Sequence, residues 1–263
     1  MFRMFQLCRE VRFTIDPQAG EMPAVISGHS GNPCNGAGYY FALRLTVAGN
    51  LDPQSQYLVN IRKIDQRVRD EAVPVLGEMI RSGGFTGCRA VIAMAYHLAN
   101  GWDDASLVSV RLNVNPFLAF EAVAQELPMV RRSQHFEFSA SHRLHNPEIS
   151  DAAYREVFGK CNNPLGHGHN YELEVTLLGP VDGNNQLIDA AAFERIVQAK
   201  VLERFDHKHL NLQTAEFKDT IPTVENIAKV IYGLLKAEFE ALNLNLAAVK
   251  VWETPKTSAQ YSE

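Results

Sequence analysis

Three histidines in this sequence have the spacing of a metal site. His167 and His169 are separated by one residue, and His142 ends an upstream segment of alternating apolar residues. Side chains alternate between the two faces of a strand, so His-x-His on an extended chain presents both imidazoles on one face. Three histidine nitrogens are the ligand set of a catalytic zinc ion that keeps one coordination position open. The sequence therefore predicts a Zn²⁺ site at His142, His167 and His169.

A cysteine lies close enough to the histidine pair to take part in the same chemistry. Cys161 comes six residues before His167. Its sulfur could be a fourth ligand of the metal, or a proton-transfer group beside it, because a nearby cation lowers the pKa of a thiol. An isolated cysteine more often serves as a small buried hydrophobe. The residues alone leave these roles open.

The elements around these residues predict an antiparallel sheet with helices on one face. Alternation or helical spacing of apolar residues marks strands at 136–142, 171–177 and 249–253, and helices at 187–204 and 223–242. Thr223 is the expected N-cap of the second helix. The resulting β-β-α-α-β order is typical of the α+β class. All three histidines fall at alternate positions that are otherwise apolar, so they point to the same face of the sheet as the apolar side chains. This predicts a metal at the rim of the buried face.

A degenerate internal repeat indicates two units in the chain. Gly36–Asp52 matches Gly166–Asp182 at a constant offset of 130 (166 − 36). A period this long indicates a duplicated domain rather than a solenoid array. We expect units at residues 1–118 and 130–263. In the first unit, Ala37 and Tyr39 stand where the second has His167 and His169, so we interpret it as a unit without metal ligands.

Composition excludes several classes of partner. A net charge of −5 over 263 residues gives no basic footprint, so a nucleic-acid partner is not expected. No apolar stretch approaches the roughly 18 residues that a membrane span needs, and the N-terminal segment has no signal-peptide pattern. The 4 cysteines form no CxxC pair, which indicates reduced thiols. We therefore expect a cytoplasmic protein with no membrane partner.

Five motifs stand in order in the C-terminal half: Phe138-Ser-Ala-Ser-His142, Cys161-Asn-Asn-Pro-Leu-Gly-His-Gly-His169, Asp206-His-Lys-His-Leu210, Pro222-Thr-Val-Glu-Asn-Ile227 and Val251-Trp-Glu-Thr254. Together they closely resemble the 6-pyruvoyl-tetrahydropterin synthase family, which includes 6-carboxy-tetrahydropterin synthases. The resemblance implies two tandem T-fold units, the tunnelling fold, which assemble side by side into a β-barrel. It also implies a homo-oligomer with active sites between neighbouring units.

The same resemblance implies roles for the site residues. It assigns the three histidines to zinc, Cys161 to general base or acid catalysis, and Asp206 with His207 to the rest of a proton-relay triad. In this family the triad is shared between neighbouring units, so we expect an oligomer in which two C-terminal units are adjacent. Without the resemblance, Asp206 and His207 would be interpreted as a pair at a helix C-terminus.

The remaining roles concern the substrate. The resemblance assigns Glu253 to the 2-amino and N3–H edge of a pterin through two charge-assisted hydrogen bonds, and Thr223 and Glu225 to the lining of the pterin pocket. Taken alone, Glu253 would be interpreted as a solvated strand residue.

The implied reaction converts 7,8-dihydroneopterin triphosphate to 6-pyruvoyl-tetrahydropterin with elimination of triphosphate. Five residues separate Cys161 from His167, which resembles the pyruvoyl enzymes more than the bacterial 6-carboxy-tetrahydropterin synthases of queuosine synthesis, where three is typical. A 6-carboxy-tetrahydropterin synthase and a non-catalytic pterin- or metal-binding protein remain alternatives. Iron, nickel or cobalt could also occupy a three-histidine site.

Overall fold

The computed structural model describes residues 5–17, 38–146, 149 and 157–263. The chain divides into two compact units, the first formed by residues 1–132 and 179–187 and the second by residues 133–178 and 188–263. The short segment 179–187 groups with the first unit, so neither unit corresponds to one continuous stretch of sequence. The tandem domains predicted at 1–118 and 130–263 remain a prediction.

The first unit is an antiparallel sheet with three helices. Its elements are β1 (Phe5–Ile15), β2 (Tyr39–Gly49), α1 (Ile61–Arg67), α2 (Val73–Arg81), α3 (Gly87–His97), β3 (Ser106–Asn115) and β4 (Leu118–Val123). The strands pair in the order β1-β2-β3-β4. A π-helical turn at Val68–Ala72 joins α1 to α2. Alternate β2 residues Leu43, Leu45 and Val47 are buried, as period-two packing on a core requires.

The second unit repeats this order of elements with additional short segments. Its elements are β5 (Val130–His142), β6 (His167–Gly179), α4 (Ala190–Val197), α5 (Glu203–Phe205), β7 (Lys208–His209), α6 (Leu210–Gln213), α7 (Val224–Glu240), β8 (Asn245–Thr254) and β9 (Thr257–Tyr261). The strands follow the order β5-β6-β8-β9, and β7 pairs in parallel with β5 at Ala140 and Ser141. A π-helical turn at Gln198–Leu202 lies between α4 and α5.

The core of the second unit lies between the sheet and α7. Tyr171, Leu173 and Val175 on β6 are fully buried, whereas Glu172 between them is exposed. The helix contributes an apolar stripe, and its buried members include Ile231, Leu235 and Phe239. Burying one such side chain stabilises the fold by about 1.5–3 kcal/mol. This packing fixes the positions of β6, which carries His167 and His169, and of β8, which carries Glu253.

The observed architecture confirms the α+β prediction of an antiparallel sheet with helices. The helix predicted at 223–242 is α7, and the Thr223 hydroxyl caps it by accepting a hydrogen bond from Asn226 N at 3.3 Å. The helix predicted at 187–204 begins later, because Asp189 caps α4. In each unit the described strands form an open sheet rather than a closed barrel. The predicted barrel would require several copies and remains a prediction.

None of the helices in the described part of the chain combines the length and the apolar character that crossing a membrane requires.

Candidate metal centre

Four side chains of the second unit converge on one point. They are His142 at the end of β5, His167 and His169 at the start of β6, and Glu253 near the end of β8, and their ligand atoms all lie within 4.8 Å of one another. His142 Nε2 is 3.1 Å from His167 Nε2. It is also 3.2 Å from Glu253 Oε1. Among the described residues this is the one group of three or more histidine, cysteine or carboxylate side chains with such convergence.

The strand pairing explains how the cluster forms. His167 and His169 share the inward parity of buried Tyr171 on β6, as the sequence predicted. Antiparallel pairing of β8 with β6 sets Trp252 opposite Glu172. Because Glu172 faces outward, the next residue on β8, Glu253, points to the inward side on which His169 lies. The Oε1 atom of Glu253 is 3.5 Å from His169 Nε2.

Hydrogen bonds fix the orientation of His142, which is fully buried. Its Nδ1 donates to the carbonyl oxygen of Pro222 at 2.7 Å, and the hydroxyl of Tyr171 lies 3.3 Å from the same nitrogen. Because a carbonyl only accepts, the Nδ1 atom carries the proton and Nε2 is left for a ligand. Such a second partner sets the tautomer of a metal-binding histidine. Tyr171 and Pro222 were absent from the predicted site, although Tyr171 shares the parity of His167 and His169.

The geometry and the donor set fit a tetrahedral divalent metal. Ligand atoms about 2.0–2.1 Å from a tetrahedral zinc ion lie about 3.3 Å from each other. Three of the six separations in the cluster, at 3.1, 3.2 and 3.5 Å, are close to this, and all six are within 4.8 Å. Within the described part of the chain, the buried Nε2 atom of His169 makes no hydrogen bond. Moreover, Nδ1 of His142 already donates to a carbonyl while Nε2 faces a carboxylate and another imidazole, an arrangement that a cation at Nε2 satisfies and a neutral imidazole does not.

The electrostatics of the cluster favour the ligand forms of its members. Burial lowers the pKa of His167 and of His169 below the ordinary histidine value, so both imidazoles are neutral at pH 7 and have a lone pair for a metal. Contact with the imidazole of His142 lowers the pKa of Glu253, which favours the ionised carboxylate. Burial raises the pKa of the Tyr171 phenol, so its hydroxyl remains protonated.

Glu253 lies at the border of the metal cluster. Its predicted bidentate contact to the edge of a pterin ring stays a prediction. In the sequence analysis Cys161 was one candidate for a fourth ligand, and in the structure the Glu253 carboxylate lies at that position. This placement gives Glu253 a second candidate role, as a metal ligand.

Cys161 lies in a turn that is attached to the end of β5. It belongs to the 3₁₀ turn Gly159–Asn162 and is half-buried. Its carbonyl accepts a hydrogen bond from Leu144 N at 3.0 Å, and the side chain of Asn162 accepts one from Arg143 Nε at 3.0 Å. These contacts hold the turn beside the residues that follow His142.

Asp206 and His207 form a pair outside the histidine–glutamate cluster. Asp206 accepts a hydrogen bond from Ser139 N at 2.8 Å, and its other oxygen is 2.9 Å from His207 Nδ1. The bond from Ser139 lowers the pKa of Asp206. His207 has a left-handed φ of 57°, and its side chain is 82% exposed. Within the described residues no hydrogen bond joins the pair to Cys161, and the triad shared between neighbouring units stays a prediction.

The start of α7 lies beside the cluster. The carbonyl of Pro222 is bonded to His142, and Thr223 follows as the helix cap. Glu225 is exposed in the first turn of α7. Thr223 thus directly follows a residue bonded to the cluster and has a structural function, and the pocket-lining roles of Thr223 and Glu225 remain predictions.

The first unit has no comparable centre in its described part. Tyr39, which stands where His169 stands in the repeat, is exposed at the start of β2. Ala37, at the position of His167, lies outside the described residues.

Known proteins resemble the second half of the chain. The family model of 6-pyruvoyl tetrahydropterin synthase matches residues 131–263. The 6-pyruvoyl tetrahydrobiopterin synthase of Drosophila melanogaster is 41% identical over 125 residues, which cover 47% of this chain and 74% of that protein. The Homo sapiens enzyme of the same name is 37% identical over 131 residues, with coverages of 49% and 88%. A solved structure of the Caenorhabditis elegans 6-pyruvoyl tetrahydropterin synthase aligns with 52% of this chain and 98% of its own, at 38% identity and a TM-score of 0.49.

Proposed function

This chain belongs to the 6-pyruvoyl tetrahydropterin synthase family, and on this premise we propose that its second unit is a zinc-dependent pterin synthase. The proposed reaction converts 7,8-dihydroneopterin triphosphate to 6-pyruvoyl-tetrahydropterin with loss of triphosphate. The observation that carries the proposal is the convergence of His142, His167, His169 and Glu253 within 4.8 Å. Family relatives with this activity support a pterin as the substrate.

The residues of the cluster would hold and orient the metal. His142 is fixed by Pro222, and the neutral forms of His167 and His169 supply the other nitrogens. A bound zinc ion supplies Lewis acidity to hydroxyl oxygens on the substrate side chain.

Cys161 is the proposed proton-transfer residue. In the elimination step, a proton leaves a hydroxyl-bearing carbon, the neighbouring carbon–oxygen bond breaks, and triphosphate departs with the electron pair. A thiolate is a suitable base for this proton when a cation lies nearby. The turn that contains Cys161 is hydrogen-bonded to Leu144 and Arg143, the two residues that follow the proposed metal ligand His142.

Asp206 and His207 complete the proposed relay from another copy of the chain. Asp206 holds His207 through Nδ1, so the exposed ring presents its other nitrogen outward. Because the pair has no hydrogen bond to Cys161 within the described chain, we propose a homo-oligomer in which the pair of one copy serves the cysteine of another.

The two carboxylates near the centre divide the remaining roles. The ring edge with the 2-amino group and the side chain on C6 are at opposite ends of a pterin. To reach the far ring edge, the Glu253 carboxylate would have to leave its position 3.2 Å from His142 Nε2. We propose that Glu253 occupies the open metal position in the absence of substrate, and that Glu225 takes the ring edge.

Product analysis tests the function. Zinc-loaded protein is incubated anaerobically with 7,8-dihydroneopterin triphosphate, and the products are identified by mass spectrometry. A 6-pyruvoyl product is expected. A 6-carboxy product would assign the protein to the alternative synthase, and unchanged substrate with zinc verified at the site would indicate a binding role.

A cysteine variant tests the assigned base. Cys161→Ala is expected to lower turnover by about 10²–10⁴-fold, the usual contribution of a positioned acid or base, while zinc content is unchanged. Cys8→Ala is the matched control, because Cys8 is an exposed thiol on β1 of the first unit. Turnover by Cys161→Ala at the control rate would refute the role.

A further inference from the structure

A groove in the second unit brings together basic side chains that the proposed chemistry does not use. Arg143, His145, His209 and Lys218 line it, with Asp219 as the one acid among the lining residues. The first three are half-buried, whereas Lys218 and Asp219 are exposed. An excess of cationic groups in a concave surface favours an anionic ligand.

Arg143 is held in place by neutral partners. Its Nε donates to the side-chain oxygen of Asn162 at 3.0 Å. Its backbone N–H and carbonyl bond to the side chain of Asn211 at 2.8 and 3.0 Å. Among the described residues, no carboxylate pairs with its guanidinium. A fixed guanidinium fork with unused donors is suited to bidentate recognition of a phosphate.

His209 adds to the same groove a polar atom that has no hydrogen-bond partner among the described residues. Its Nδ1 atom is buried and makes no hydrogen bond in the described structure. Its backbone N–H is held by Gln213 at 2.6 Å. Gly166 makes room for the ring, since a Cβ there would lie 2.9 Å from His209 Nε2 and 2.9 Å from the carbonyl oxygen of His142. A buried polar atom without a partner is costly, and a ligand that accepts or donates a hydrogen bond would remove that cost.

Two lining residues of the groove adjoin the metal centre in sequence. Arg143 directly follows His142, and Ile221 precedes Pro222. Pro222 is the residue whose carbonyl orients His142. A substrate held at the metal by its side-chain hydroxyls would therefore have the next group of that side chain close to the groove.

We propose that this groove is a polyphosphate subsite in which Arg143 and His209 bind the phosphate chain of the substrate. The inference rests on the proposed pterin synthase function, because the triphosphate is part of that substrate. Lys218 at the rim adds charge in solution, and Asp219 opposes it. Binding there orients the leaving group and stabilises the negative charge that develops on it when the carbon–oxygen bond breaks.

Calorimetric titration with inorganic triphosphate tests the subsite directly. Zinc-loaded wild type, Arg143→Gln, His209→Ala and Lys200→Gln are compared, and zinc content is checked after each titration. Lys200 is the control, as a half-buried cation of the same unit that is paired with Glu238 and does not line the groove. We expect Arg143→Gln to bind triphosphate about 10- to 100-fold more weakly, the effect of losing hydrogen bonds to a charged group. His209→Ala is expected to bind more weakly than the control. Wild-type affinity should rise from phosphate to diphosphate to triphosphate.

Two readouts separate this proposal from the proposed function. With 7,8-dihydroneopterin, which has no phosphate, the affinities of Arg143→Gln and wild type should agree. Equal triphosphate affinity in wild type and both groove variants would overturn the subsite, even if pterin turnover is normal. Loss of triphosphate affinity in Arg143→Gln, in a protein that does not turn over the pterin substrate, would support the subsite and refute the synthase function. His209→Ala keeps the test decisive if Arg143→Gln does not fold.

Discussion

At the scale of single residues, the cluster is informative because different elements of the second unit hold its members. His142 is fixed by a carbonyl from the start of α7, whereas His167 and His169 depend on the pleat of β6. Glu253 reaches the same point from β8. A site built from three elements keeps its geometry only when their packing is intact, which couples metal affinity to the core of the second unit.

The role of Glu253 can be decided by a matched pair of carboxylate variants. Glu253→Gln is expected to weaken zinc binding about 10-fold or more, because a charged ligand is lost next to three imidazoles. Glu225→Gln, at the exposed start of α7, should keep the zinc affinity of wild type and raise KM. Competition with a chromophoric chelator measures the first quantity. Unchanged zinc affinity in Glu253→Gln with a raised KM would return Glu253 to the ring-edge role.

The sequence was sufficient for part of this site. Period-two alternation placed His167, His169 and Tyr171 on one face of β6, and this required only local geometry. The approach of Glu253 to His142 depends on the register between β6 and β8, which is a tertiary property. The exposed, left-handed His207 likewise follows from its bonds to Ser139 and Asp206, which no local pattern encodes.

At the scale of elements, local sequence patterns also predicted only part of the fold. Both long helical segments were recognised from apolar spacing, but the π-helical turns at Val68–Ala72 and Gln198–Leu202 were not. A π turn inserts one residue into the helical repeat without changing which residue types are apolar. The short strands β4 and β9 were also missed, since six and five residues give too little alternation to distinguish a strand from a loop.

The start of α7 gives a prediction that separates a structural function from a substrate contact. Thr223→Ala removes the hydroxyl that caps Asn226 N and is expected to lower the free energy of unfolding by about 0.5–2 kcal/mol. Thr223→Ser keeps a capping oxygen and should restore the stability. Chemical denaturation of the two variants measures the difference. Equal stability of Thr223→Ala and wild type, with a raised KM, would assign Thr223 to substrate binding alone.

At the scale of the whole molecule, a mixing experiment tests whether copies of the chain share one active site. His207 is 82% exposed and its pair with Asp206 has no hydrogen bond to Cys161 in the described residues. Cys161→Ala and His207→Asn are each expected to be inactive. Co-expressed at equal levels, they should recover up to about one quarter of wild-type activity, because random assembly in a cyclic oligomer pairs an intact cysteine with an intact histidine at that frequency. Lys200→Gln co-expressed with Cys161→Ala controls for expression and assembly. A triad completed within one chain would give no recovery in the mixed oligomer, whatever its size.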